Sequence, residues 1–116
     1  DIEQAPDLYF PYYQTAAQKF TMPAGSYLAL PAIPGLKLTK VSIYRDVGKH
    51  PQWGIIDNVY GGDTDDTKVF VSEPKETPNK EWGSHELTGT ETGKVYWINV
   101  KAGTLAFKQL TLNYEL

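Results

Sequence analysis

Two tryptophans stand in polar, turn-rich surroundings where a strand core is not expected: Trp53 in HPQWG and Trp82 in NKEWGSHE. An exposed indole offers a flat apolar face to the C–H face of a sugar ring and an N–H donor to its oxygens, while neighbouring acids, amides and imidazoles grip hydroxyls. His50 and Gln52 flank Trp53, and Glu81, His85 and Glu86 flank Trp82. The candidate glycan-binding residues are therefore Gln52, Trp53, Glu81, Trp82, His85 and Glu86. The competing reading folds each indole back to cap the open end of a hydrophobic core. One of the two is expected to be exposed.

The stretch GGDTDDT, residues 61–67, raises a cation question. Asp63, Asp65 and Asp66, with Asp57 nearby, supply the carboxylate oxygens that calcium needs, roughly six to eight per ion. Counting from Asp63, Lys68 and Pro74 occupy the positions where an EF-hand loop requires glycine and a bidentate glutamate. A turn accounts for the stretch more simply: Gly61 and Gly62 permit left-handed backbone, and the short acids hydrogen-bond their own main chain. Calcium is the one cofactor these residues leave open, and no other cofactor is expected.

Catalytic patterns are weak. Glu81 with Glu86, or Asp57 with Asp63, are the pairs from which a glycosidase would need carboxylates about 5 to 10 Å apart across a cleft. The two histidines, His50 and His85, lack zinc-ligand spacing, and neither a nucleophile motif nor a Gly-rich phosphate loop occurs. A non-enzymatic role is expected, with attachment to a glycoside hydrolase in a longer parent chain left open.

The chain that must position these residues has 116 amino acids, enough for one domain and one core. Its net charge of −3 and lack of a basic run argue against nucleic acid as a partner. No cysteine is present, so stability comes from packing without disulfides. No stretch approaches the ~20 apolar residues of a membrane span, and DIEQAPD does not resemble a signal peptide, so the chain reads as a mature form or an excised domain.

Helical periodicity is absent, and aromatic and β-branched runs alternate with Gly and Pro punctuation. Strands are expected near residues 9–13, 19–22, 27–30, 37–45, 54–60, 68–72, 94–101 and 104–114. The aromatic cluster Tyr9, Phe10, Tyr12 and Tyr13 around Pro11 reads as an edge strand packing rings on the core, with a stacking strip as the alternative. In LTKVSI and FKQLTL the apolar residues, Leu38, Val41 and Ile43 and then Phe107, Leu110 and Leu112, break the two-residue period once. A β-bulge near Thr39 and Lys40, and another near Lys108 and Gln109, would bring each set to one core; burial on both faces is the alternative. VYWINV, apolar on both faces, reads as a central strand with Tyr96 or Trp97 in the core. Leu110, Leu112 and Tyr114 alternate with Thr111, Asn113 and Glu115, a strand with one wet face. Residues 72–91, with two prolines and many charges, read as a long connector.

SYLALPAIPGLKLTKVSI, residues 26–43, followed by VYWINV and the closing LTLNYEL, resembles the small β-sandwich modules of secreted and surface proteins of Bacteroidetes-type gut bacteria. The likeness runs from Phe20 onward and rests on packing residues and turns. It implies a jelly-roll-like or galactose-binding-like sandwich, a secreted or cell-surface location with lipoprotein anchoring through a missing N-terminal segment, and a role in glycan capture or adhesion. The expected architecture is a two-sheet antiparallel, jelly-roll-like β-sandwich over residues 1–116. The expected partner is a glycan or a host or surface glycoprotein, bound without membrane insertion. The rival expectation is a structural or adhesion domain of a surface protein with no glycan ligand.

Overall fold

The computed structural model describes residues 20–45, 50–57 and 69–116 in full, and residues 8–13 through their backbone. The elements are all strands: β1 (Leu8–Tyr13), β2 (Phe20–Pro23), β3 (Tyr27–Leu30), β4 (Lys37–Arg45), β5 (Gln52–Ile56), β6 (Phe70–Glu76), β7 (Glu81–Glu86), β8 (Tyr96–Ala102) and β9 (Thr104–Glu115). One sheet runs β1-β9-β4-β7, with β2 sharing the β1 edge of the long β9, and the other runs β3-β8-β5-β6. Every pairing is antiparallel.

The connectivity is that of a jelly roll. β2 pairs with β9, β3 with β8, β4 with β7 and β5 with β6, so four hairpins are nested one inside the next. Successive pairs alternate between the two sheets, which rolls the nested hairpin into a sandwich. Its core is formed by Met22, Leu30, Leu38, Val41, Ile43, Trp53, Ile55, Tyr96, Ile98, Val100, Leu105, Phe107, Leu110, Leu112 and Tyr114.

Of the two readings open for these strands, the structure has the bulges, at both expected places. Leu38 faces Tyr114 and Lys40 faces Asn113, which leaves Thr39 as the extra residue; Tyr44 faces Gln109 and Arg45 faces Phe107, which leaves Lys108 as the other. Each bulge resets the side-chain alternation, so Leu38, Val41, Ile43, Phe107, Leu110 and Leu112 all reach one core. The consequence for the opposite face is equally definite: between the bulges, Lys40, Ser42 and Tyr44 stand in register beside Asn113, Thr111 and Gln109.

The Pro-rich segment between β3 and β4 crosses from one sheet to the other, as the missing N–H groups of Pro31 and Pro34 require. Gly35 has φ of +82° in its turn, and the Tyr114 hydroxyl donates to the Pro31 carbonyl at 2.6 Å. β8 is central in its sheet, with Tyr96 in the core and Trp97 half-buried. β1 is an edge strand paired to residues 109–114 of β9; the side chains of Tyr9, Phe10, Tyr12 and Tyr13 lie outside the described residues.

The expected connector over 72–91 is corrected: it contains most of β6 and the whole of β7. Both are edge strands, so Pro74 is tolerated in β6. β7 turns Gly83 and His85 inward instead of a run of large aliphatics, and the period-2 hydrophobic signal never arises. The turn between the two strands is anchored from inside. Thr77 is buried, its carbonyl accepts from Arg45 Nη1 at 2.6 Å, and its hydroxyl accepts from Trp53 Nε1 at 2.9 Å. A Cβ added to Gly83 would overlap the Thr77 side chain and lie 2.8 Å from its Cβ. Gly83→Ala should therefore cost about 2 kcal/mol through overpacking and lower the melting temperature by roughly 8 °C; an unchanged thermal melt would show that Thr77 gives way freely.

Candidate ligand-binding face

β7 lies beside β4, and β4 beside β9, so three strands lay out a grid on the outer side of their sheet. The cross-strand register defines its rungs: Trp82, Tyr44 and Gln109; then Ser84, Ser42 and Thr111; then Glu86, Lys40 and Asn113. Strand alternation puts all nine on the same face, opposite to the core. A cavity of about 310 Å³ is lined by Lys40, Ser42, Trp82, Ser84, Thr111 and Asn113. A second of about 390 Å³ continues it past Lys40 and Asn113 to Thr39, Glu86, Leu87, Thr88 and Glu115. The two share Lys40 and Asn113 and form one shallow groove along the strands.

The groove has an aromatic end and a polar floor. Trp82 is 48% exposed, the largest exposed aromatic among the described residues. Tyr44 meets it edge-on, with ring centroids 5.7 Å apart at 64°, a favourable quadrupole contact that fixes the indole against the sheet. The floor residues Ser42 and Thr111 are buried, and the Ser42 and Ser84 hydroxyls are 2.8 Å apart in a hydrogen bond. Each hydroxyl retains further donor or acceptor capacity toward the groove. Thr39, the bulge residue, donates through Oγ1 to the Asn113 carbonyl at 3.2 Å and ties β4 to β9 beside the groove.

Of the residues singled out in the sequence, Trp82 and Glu86 come together on this face. Trp53 does not. It is 0% exposed, part of the core cluster, and its indole N–H is spent on Thr77; an indole in this position fills the interior and is unavailable to a ligand. Gln52 is exposed but belongs to the other sheet, where it pairs with Glu76 and Ala102. His50 is exposed, with Nδ1 3.5 Å from Glu76. His85 points inward and is 1% exposed, its ring edge-on to Trp53 at 4.3 Å and its Nδ1 hydrogen-bonded to the Ser72 hydroxyl. Burial, reinforced by the positive charge of Lys75, drives the His85 pKa down to about 4, with the Trp53 backbone pulling slightly the other way. Glu81 is exposed at the start of β7 and opposes Arg45. Being five residues apart on one strand, Glu81 and Glu86 fall on opposite faces and do not form a facing carboxylate pair.

Among the described residues, no cluster of three His, Asp or Glu side chains is arranged to hold a metal. Asp57 accepts a hydrogen bond from Lys94 at 3.3 Å, and that lysine also reaches Glu91 at 3.4 Å; these contacts raise the Lys94 pKa. Asp63, Asp65 and Asp66 lie outside the described residues, as does the remainder of GGDTDDT.

The groove residues not anticipated are Lys40, Ser42, Tyr44, Ser84 and Gln109. Part of the signal was present, because the wet face of β9 at Thr111 and Asn113 follows from alternation alone. Extending it across the sheet requires the pairing of β4 and β7 to be known. No protein-family model matches the chain, and no curated protein matches it significantly.

Proposed function

We propose that this chain is a non-catalytic carbohydrate-binding domain that takes its ligand on the outer face of the β4, β7 and β9 sheet. The observation that carries the proposal is Trp82: a half-exposed indole, braced by Tyr44, at the end of a groove floored by hydroxyls and an amide. Stacking of a pyranose ring on the indole removes apolar area from water, and the flanking polar groups exchange hydrogen bonds with sugar hydroxyls. The rigid strands hold these groups without an ordering cost at binding. The groove is shallow, so single-site affinity falls in a range of roughly micromolar to millimolar, and linked copies or modules would raise it. The likeness of residues 26–43 to modules of exported Bacteroidetes-type proteins supports a secreted or surface parent protein.

A glycan array followed by titration tests this. Trp82→Ala should weaken binding by at least about tenfold. It should also leave the melting temperature within roughly 2 °C of the parent, because a half-exposed side chain contributes little to folding. Binding that survives Trp82→Ala would remove the outer face from consideration. A parent protein that binds no glycan would favour a structural or adhesion role instead.

A further inference from the structure

The far end of the groove carries two charges that do not neutralise each other. Lys40 and Glu86 are directly opposed across β4 and β7, a position in which Cβ atoms are about 5 Å apart and an ion pair is readily made. Neither makes one among the described residues. Both instead line the same cavity, whose other carboxylate, Glu115, is 3.6 Å from Lys37. An ammonium and a carboxylate held apart around open space present a donor and an acceptor at once. That combination matches a vicinal diol, with one hydroxyl donating to the carboxylate while its neighbour accepts from the ammonium. A sugar carboxylate fits less well, because Glu86 and Glu115 would face it.

Glu86 lies four residues from Trp82 along β7, about 13 Å at the strand rise. That exceeds the width of one pyranose ring, so the stacking end and the charged end address different units of a chain. We infer that the groove takes a neutral oligosaccharide laid along β4 and β7, with one ring stacked on Trp82 and a later ring gripped through a vicinal diol by Lys40 and Glu86. This inference rests on the carbohydrate-binding reading of the same face and adds ligand length, ligand charge and the residues of the second subsite.

The test is calorimetric titration of the intact domain. The probes are neutral gluco-, manno- and galacto-oligosaccharides from monosaccharide to tetrasaccharide, together with oligogalacturonates of the same lengths. Affinity should rise with chain length in one neutral series and stay lower for the uronates. Lys40→Met and Glu86→Gln should each weaken the best neutral tetrasaccharide by roughly tenfold, and Glu86→Gln, which alters only the far cavity, should weaken the monosaccharide far less. Length-independent binding, a preference for uronates, or full tetrasaccharide affinity in both variants, with Trp82→Ala still abolishing binding, would overturn the second subsite alone. Failure of every probe to bind the parent domain would overturn both readings.

Discussion

Trp53→Ala should destabilise the domain by about 4 kcal/mol, whereas the same change at Trp82 should leave folding nearly intact. Trp53 has no solvent exposure, packs in the cluster that joins the two sheets, and stacks edge-on to His85. Truncating it removes the transfer free energy of a large ring and leaves a cavity that a β-sandwich between paired strands collapses only in part; such changes cost about 3 to 5 kcal/mol. The indole N–H also donates to the Thr77 hydroxyl, and Thr77 holds the turn that leads into β7. Loss of Trp53 therefore reaches the candidate groove indirectly, by loosening the strand that carries Trp82, Ser84 and Glu86. Urea unfolding checks this: the midpoint should fall sharply in Trp53→Ala, less in Trp53→Phe, which keeps ring bulk but loses the hydrogen bond, and hardly at all in Trp82→Ala. Equal midpoints in the two Trp→Ala variants would contradict the burial assigned to Trp53.

The second large effect is an acid limb in stability caused by His85. The imidazole is held neutral inside the sandwich, with its pKa near 4 because burial disfavours the charged ring and Lys75 adds repulsion. In the unfolded chain the group returns to about 6.5. A depressed folded-state pKa means that the unfolded state binds the proton more readily. The stability contributed is thus complete above about pH 6.5, declines as pH falls toward 4, and is absent below that. The difference between about 6.5 and about 4 corresponds to about 3 kcal/mol. Nε2 makes no hydrogen bond of good geometry, and the pull of the Trp53 backbone toward the protonated ring is outweighed by burial and Lys75. His85→Gln should be less stable than the parent at pH 7, because it disturbs the contacts with Ser72 and Trp53. Its decline between pH 6.5 and 4 should be shallower by most of that amount. Parallel stability–pH curves for parent and variant would show that His85 does not titrate in this window.

Residues near one another in sequence determined much of the architecture. The all-β class, the places where bulges could fall, the crossover at Pro31 to Gly35 and the centrality of β8 all follow from side-chain parity and from what proline and glycine backbones permit. These are local rules, satisfied or violated within a few residues. Leu38 could reach the core beside Val41 on a half-buried strand only if an extra residue intervened, and Thr39 is that residue.

What tertiary structure alone decided was which face each polar or aromatic residue joined. HPQWG and NKEWGSHE look alike as sequence, yet Trp53 lies on β5, between β8 and β6, and turns into the core, while Trp82 lies on the edge strand β7 and turns outward. β7 was illegible because its inward positions hold Gly83 and His85, accommodated by Thr77 of the preceding turn and Trp53 of the other sheet, and no hydrophobic alternation marks them. The groove itself joins residues 40–44, 82–86 and 109–113 through antiparallel pairing. Alternation tells which residues of one strand share a face; only the pairing of strands distant in sequence tells whose faces are shared, and the binding surface exists at that level.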